Sequence, residues 1–419
     1  MAIRKRIAGF ILLAVLPLYG QESAPAEPVV PSGMPEAAEA PVSVPVPVLS
    51  DDPVVLSYQR NFVRASISTK LELLAGAPEI PSADMTPLYL DALYFVLSSH
   101  GLLGEDRQLA EIACSAIRSA AECGNPAVLP PIQAVFPLFS DVQVQTAAIG
   151  AVASLSGPED GGFVFLRDWF ASALDACSRG TYIPPQVLNA ALTAFAGLGN
   201  ADVFPLVFRA ATSNLDSSVV AEAEKTIISF QEGFTDNILA IVSEKDPQKT
   251  AAAFSFARKN EQLADADLGK IAEEVFRSML DLNTQGNAEA VPVLDEAMLV
   301  LTGLKWYQAS PLVLQYFYRM QSDYKNGKIG AEKLIPVIDC LGAMGTNEAA
   351  QALSIFLGLL NSETEQKKTC NEQLMLSIIH ALGDLGDKAA FDYLLYVGYL
   401  DYPESVKQAS RDALARLKW

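Results

Sequence analysis

The sequence predicts an all-α fold in which antiparallel helix pairs stack into an α-solenoid, because one unit occurs twice near the C-terminal end. The turn Ala343–Asn347 has a counterpart 41 residues later, Asp384–Lys388. Each turn follows an apolar run with helical spacing and precedes an Ala-Ala pair that begins another such run. A helix, a tight glycine turn and a second helix at this period are typical of helical repeat proteins.

Glycines at the predicted turns give the spacing of the units. A chain that reverses between two helices needs a residue with positive φ, a conformation that costs little only for glycine. We therefore predict about eight or nine helix pairs over residues 53–419, with an insertion or an altered repeat length within 231–283, where the spacing fails. Three intervals of 41 or 42 residues support this: Gly157 to Gly199, Gly303 to Gly345, and Gly345 to Gly386.

Two segments precede the predicted helices. In residues 1–20, three basic residues precede the apolar run Ile7–Tyr19, and this order is the pattern of an export signal peptide. The apolar run is too short to span a bilayer as a helix. Residues 21–52 contain seven prolines, which forbid helix and favour a disordered tether. We predict a signal peptide (1–20), a Pro-rich tether (21–52), a helical repeat domain (53–419) and a periplasmic or extracellular location. The alternative for residues 1–20 is a signal anchor that is retained. The alternative for residues 21–52 is a segment that binds an aromatic groove on a partner.

The charge of the chain restricts its partners. The formal net charge is −19, and lysine and arginine are not clustered. Such a surface repels phosphates, so we do not expect the protein to bind nucleic acid or an anionic membrane surface. Once the signal is removed, we expect no stable membrane insertion.

Residues that carry catalysis or bind metals are scarce. The five cysteines include no CxxC pair, and the only histidines are His100 and His380. Ten residues separate His380 from Cys370, about 15 Å along a helix, which is too far for a nucleophilic pair. Carboxylates are scattered, and no Walker A or GxGxxG pattern occurs. We therefore expect no catalytic residue, metal site or cofactor. We expect most cysteines to be free thiols, with a disulfide between Cys340 and Cys370 as the alternative.

Tyrosines near the C-terminal end give a candidate binding surface. Tyr393, Tyr396 and Tyr399 recur every three residues on the penultimate predicted helix, and Tyr402 follows it. Tyrosine is enriched in binding hot spots, so this stripe could contact a partner. The alternative is that the stripe packs on the final helix or caps the array. A second aromatic cluster, Trp306–Tyr307 with Tyr316–Tyr318, is expected in the core.

Two stretches resemble the HEAT-repeat family, especially its bacterial HEAT-like members: Ala381–Ala390, and Pro403–Ala409 followed by Ala413 and Leu414. Lys407 stands where the family usually has arginine. The resemblance implies a right-handed solenoid. Tetratricopeptide repeats are the alternative, but their Trp-x-x-Leu-Gly-x-x-Tyr signature and regular 34-residue period are absent.

These observations lead to an expected function. A repeat array with no recognisable reactive site is expected to be a non-catalytic scaffold that presents its surface to a protein or peptide partner in the bacterial envelope. The alternative is an envelope enzyme, or an accessory subunit of one, built on HEAT-like repeats.

Overall fold

The computed structural model describes residues 49–79, 83–366 and 371–418. The chain divides into two units, Met1–Pro45 and Val46–Trp419. The predicted signal peptide, nearly all of the predicted tether, and Cys370 lie outside the described residues. The possible bridge to Cys340 therefore stays a prediction.

The described part of Val46–Trp419 is helical throughout. It contains no β-strand, apart from one isolated bridge between Asp387 and Lys418. Short 3-10 turns lie at Ala77–Glu79, Pro126–Val128, Phe136–Leu138, Ala201–Val203, Tyr307–Ala309 and Lys388–Ala390. The twenty described α-helices are α1 (Pro53–Arg64), α2 (Ile67–Gly76), α3 (Thr86–Leu103), α4 (Arg107–Glu122), α5 (Leu129–Val135), α6 (Val142–Leu155), α7 (Gly161–Ser178), α8 (Pro185–Leu198), α9 (Phe204–Ala211), α10 (Ser217–Ser229), α11 (Phe234–Ser243), α12 (Pro247–Lys259), α13 (Asp265–Thr284), α14 (Ala290–Leu304), α15 (Ser310–Lys325), α16 (Ala331–Met344), α17 (Asn347–Glu365), α18 (Glu372–Leu385), α19 (Phe391–Val397) and α20 (Glu404–Arg416).

The helices form two rows. Every even-numbered helix packs against the next even-numbered helix, without interruption from α2 to α20. In the odd-numbered row, α1 contacts α3, α3 contacts α5, α7 contacts α9, α11 contacts α13, and α15 contacts α17, which contacts α19. This alternation along the chain is the arrangement expected of a helical repeat fold.

Aromatic side chains bridge the odd-row junctions where backbones approach less closely. The rings of Phe136 and Trp169 join the end of α5 to α7, with centroids 5.2 Å apart. Phe204 and Phe234 join α9 to α11 at 5.9 Å, and Phe276 and Tyr316 join α13 to α15 at 5.8 Å. Each pair meets edge to face, a favourable geometry for aromatic rings. Large rings therefore fill the wider gaps and keep the core continuous.

Three predicted corner glycines lie where the sequence places them. Gly199, Gly345 and Gly386 follow α8, α16 and α18, with φ of 68°, 70° and 66°. A β-carbon is disfavoured in this left-handed conformation, which explains glycine at the three helix ends.

Gly303 and Gly157 do not take the predicted corner role. Gly303 lies inside α14, and Lys305 adopts the left-handed conformation after that helix, with φ of 51°. Gly157 follows α6 without a positive φ. A matched glycine interval therefore does not prove that both glycines are turns.

The irregular middle of the sequence contains shorter units. α9, α11 and α13 begin at residues 204, 234 and 265, which are closer together than the 41-residue period. Gly269 lies inside α13, where a β-carbon would come within 2.4 Å of the Trp306 ring. The altered repeat length is thus present, and Gly269 provides space for an aromatic ring rather than a turn.

Candidate protein-binding surface

Helix α17 carries apolar residues on the side that faces away from the core. Its core-facing residues include Leu353, Phe356 and Leu360, which are buried. Ile355 and Leu359 are exposed instead, Ile355 to 56%. Residues four apart lie on the same side of a helix, so these two form one outward-facing ridge.

Helix α15 packs beside α17 and brings an exposed tyrosine close to this ridge. The rings of Phe317 and Phe356 meet edge to face, with centroids 5.7 Å apart. This contact sets the height of α15 relative to α17. Tyr318, the residue after Phe317 in α15, is 54% exposed.

Helix α19 packs on the other side of α17. A β-carbon at Gly358 would lie 2.8 Å from the Tyr393 ring, so the missing side chain lets this ring pack directly on α17. Asn361 donates a hydrogen bond from Nδ2 to the backbone oxygen of Tyr393 at 3.1 Å. Leu395, two residues beyond Tyr393 and therefore about 200° around the helix, is exposed on the side of α19 turned away from α17.

The structure separates the four tyrosines that the sequence grouped together. Tyr393 is half-buried against α17, and Tyr402 is only 5% exposed. Tyr396 and Tyr399 are exposed, Tyr399 to 77%. Only two of the four tyrosines therefore offer a large free surface, and binding at this end of the array stays a prediction.

Tyr402 belongs to a buried hydrogen-bond network, which corrects its assignment as a partner-binding residue. Its hydroxyl donates to Oδ1 of Asn361 at 3.0 Å and accepts from Oγ1 of Thr364 at 3.0 Å. Asn361 is itself buried and also holds Tyr393. The Tyr402 side chain therefore joins the turn after α19 to α17 and cannot reach a partner in this conformation.

The Tyr396 side chain is held on the surface by Glu365. Its hydroxyl donates to Oε1 of Glu365 at 2.9 Å. This hydrogen bond, together with the negative charge of Glu365, raises the pKa of Tyr396 above its ordinary value. The phenol therefore stays neutral and fixed across the ends of α17 and α19, with one side of its ring open.

These side chains together form a surface that we call the C-terminal apolar face. It covers three adjacent helices of the odd-numbered row, α15, α17 and α19, and the turn after α19. Its members are exposed large hydrophobic residues: Tyr318, Ile355, Leu359, Tyr396 and Tyr399.

Three members of this face, Tyr318, Ile355 and Leu359, were missed from the sequence. Tyr318 was expected in the core with its cluster, of which Tyr316 and Phe317 are indeed buried whereas Tyr307 is exposed. The sequence of α17 contained the signal that could have identified this surface, because the helix is apolar on two sides. Leu353, Phe356 and Leu360 form one side, and Ile355 and Leu359 form the other. A helix that is apolar on two sides is either enclosed by its neighbours or presents a contact surface.

Carboxylates flank the C-terminal apolar face. Glu348 and Asp392 are exposed near the beginnings of α17 and α19, and Asp401 is exposed beyond Tyr399. No ion pair of these three is found among the described residues. The borders of the face are therefore acidic, in keeping with the net charge of the whole chain.

The reactive residue types do not gather at one point within 49–79, 83–366 and 371–418. No group of three or more histidine, cysteine or carboxylate side chains there could hold a metal ion. Cys340 is fully buried, and burial raises the pKa of its thiol to about 11, so the thiol is not a ready nucleophile. His380 lies exposed on α18.

Comparison with known proteins gives two similar solved structures. Human deoxyhypusine hydroxylase in complex with glycerol has 12% sequence identity and a TM-score of 0.25, over 78% of this chain and 96% of that chain. A chain from a study of a conserved phosphorylation switch that controls the interaction between cadherin and β-catenin has 14% identity and a TM-score of 0.29, over 87% and 79%. No family model and no curated protein matches the chain. The helical repeat architecture rests on the packing of the two rows of helices described above.

The sequence-based prediction that this chain is not an enzyme is corrected by the first match. Deoxyhypusine hydroxylase is itself an enzyme, so a helical repeat fold does not exclude catalysis. The physical reason is that a repeat array brings side chains from several units to one surface. Reactive groups need not form a local sequence motif, and fold does not decide function.

Within the described ranges, no helix combines the length and the apolar character needed to cross a bilayer.

Proposed function

We propose that this chain is a binding protein of the exported class, in which a right-handed solenoid of stacked antiparallel helix pairs presents the C-terminal apolar face to a protein or peptide partner. The observation that carries the proposal is the concentration of five exposed large hydrophobic side chains on three adjacent helices and the turn that follows them. Exposed apolar groups on a soluble surface mark interaction sites when they cluster, whereas scattered ones need no explanation.

The packing of the two rows supports this arrangement. The even-numbered helices contact one another without interruption, whereas three junctions of the odd-numbered row are bridged by aromatic rings. The C-terminal apolar face lies on three consecutive helices of the odd-numbered row, which lets one partner contact several units of the array at once.

The nature of the exposed side chains also supports binding. Tyrosine contributes a large rigid contact area and a polar hydroxyl, which is why it is frequent in hot spots. Tyr399 is the most exposed member of the face, and Tyr396 is already held in place by Glu365. Little side-chain entropy would then be lost when Tyr396 contacts a partner.

The proposal is tested by capture from cross-linked host cells with two matched double variants. Tyr396→Ala with Tyr399→Ala removes two aromatic members of the face. Tyr182→Ala with Tyr307→Ala removes two exposed tyrosines that lie elsewhere. We expect at least one protein captured by the wild-type chain and by the control variant to be reduced by about tenfold or more with the face variant. Identical captured proteins for all three chains would refute the proposal.

A further inference from the structure

We propose that the partner segment held by the C-terminal apolar face is a cationic amphipathic helix. This inference rests on the proposed function and specifies its partner. It is drawn from three properties of the face: its aliphatic centre, its acidic borders, and the parallel helices that form it.

The centre of the face suits the apolar side of a helix. Ile355 and Leu359 are aliphatic and exposed on α17, and Tyr318 and Tyr396 are exposed on α15 and α19, whose axes are expected about 8–10 Å from that of α17. An amphipathic helix that crosses these helices presents apolar side chains at positions i, i+3, i+4 and i+7, which recur at comparable distances. Tyr318 and Tyr399 flank this centre and can cover the two ends of such a segment.

Other modes of peptide recognition fit this surface less well. Addition of a strand requires an open sheet edge, and the described residues contain no strand. Polyproline segments bind in grooves lined by aromatic residues, whereas the centre of this face is aliphatic. A helix is therefore the segment that best matches the exposed groups.

Charge decides which amphipathic helix fits. Glu348, Asp392 and Asp401 border the face, and the chain as a whole carries −19. Basic residues along the edges of a bound helix would be attracted to these carboxylates, which favours fast association and suppresses acidic partners. A second copy of this chain is disfavoured as the occupant, because it would bring the same carboxylates to the same borders.

The test uses designed peptides and the full chain. The probe is a labelled peptide about 18 residues long, with leucine at i, i+3, i+4 and i+7 and lysine elsewhere. One comparison peptide has glutamate in place of every lysine, and another has the lysine and leucine residues in scrambled order. Binding is followed by fluorescence anisotropy at several salt concentrations.

The first pair of variants tests the site without changing the net charge. Ile355→Ser with Tyr399→Ser alters the face, and Leu299→Ser with Tyr182→Ser alters two exposed hydrophobic residues elsewhere. We expect the face variant to bind the lysine peptide at least about tenfold more weakly than the wild-type and control chains. The scrambled peptide should bind weakly to all three. Equal binding of the lysine peptide to all three chains, or no binding, overturns the inference.

The second pair tests the contribution of charge. Glu348→Gln with Asp392→Asn neutralises two border carboxylates, and Glu159→Gln with Asp202→Asn neutralises two exposed carboxylates elsewhere. Only Glu348→Gln with Asp392→Asn should weaken binding of the lysine peptide, and this loss of affinity should become smaller as the salt concentration rises. If the glutamate peptide binds as tightly and is sensitive to Ile355→Ser, the cationic partner is wrong while the binding function stands. Failure of the capture experiment would instead remove the binding function itself.

Discussion

Single residues decide which parts of the C-terminal region are structural and which are free to bind. Tyr402 and Tyr399 are three residues apart and have the same side chain, but Tyr402 is buried and Tyr399 is exposed. The difference arises because Asn361 offers a buried acceptor to Tyr402. A buried acceptor without its donor is costly, so this contact fixes the turn after α19.

Removal of the Tyr402 hydroxyl should loosen the C-terminal helices. Tyr402→Phe leaves Oδ1 of Asn361 without this donor, and we expect a loss of about 1–3 kcal/mol in the stability of α17 and α19. Repeat arrays open locally, so hydrogen exchange of the amides in these two helices is the suitable measurement. Tyr399→Phe is the matched control and should leave exchange unchanged. Equal effects of the two substitutions would contradict the assigned network.

Helices show how far the sequence predicts the fold. The apolar periodicity and the glycines at 199, 345 and 386 correctly predict an all-helical repeat array and three of its corners. Gly303 misleads because a glycine inside a helix and a glycine at its end look alike in sequence. Lys305 takes the corner instead, in a conformation that sequence patterns assign to glycine.

The end of α14 gives a prediction at this scale. Lys305→Gly relieves the left-handed conformation of a residue with a β-carbon, and we expect a gain of about 1 kcal/mol in stability. Gly345→Ala should lower the stability by a similar amount, because it places a β-carbon in the left-handed conformation. Gly303→Ala lies inside α14, where no atom lies within 4 Å of the added β-carbon, and should gain about 1 kcal/mol from helix propensity.

Chemical denaturation of the three variants and the wild-type chain measures these differences. If Lys305→Gly is destabilising, or Gly345→Ala is neutral, the assignment of these two helix ends is incorrect.

The candidate surface was only partly predictable for a related reason. Tyrosine spacing identified α19, because periodicity is visible within one helix. Ile355, Leu359 and Tyr318 become a surface only when α15, α17 and α19 lie side by side, and neighbours across the row decide which apolar side is covered. Composition alone cannot distinguish Ile355 from the buried Phe356 beside it.

The described part of the molecule combines a continuous even-numbered row, an odd-numbered row bridged by aromatic rings, and a strongly acidic net charge. Core packing accounts for the first two features through aliphatic contacts and bridging rings. It does not account for aliphatic side chains left exposed at the C-terminal end of the odd-numbered row. Binding explains their presence, since a partner would remove them from water with a gain of roughly 25 cal/mol per Å² of apolar area.

Site-specific photo-cross-linking in the host cell tests this account most directly. A photoreactive phenylalanine analogue is placed at Ile355 or Leu359, and in separate control chains at Tyr182 or Tyr307, which are also exposed. We predict one cross-linked protein common to positions 355 and 359 and absent from both controls. Cross-linking to that protein from the control positions, or none from the C-terminal apolar face, would contradict the claim that this face is the binding surface.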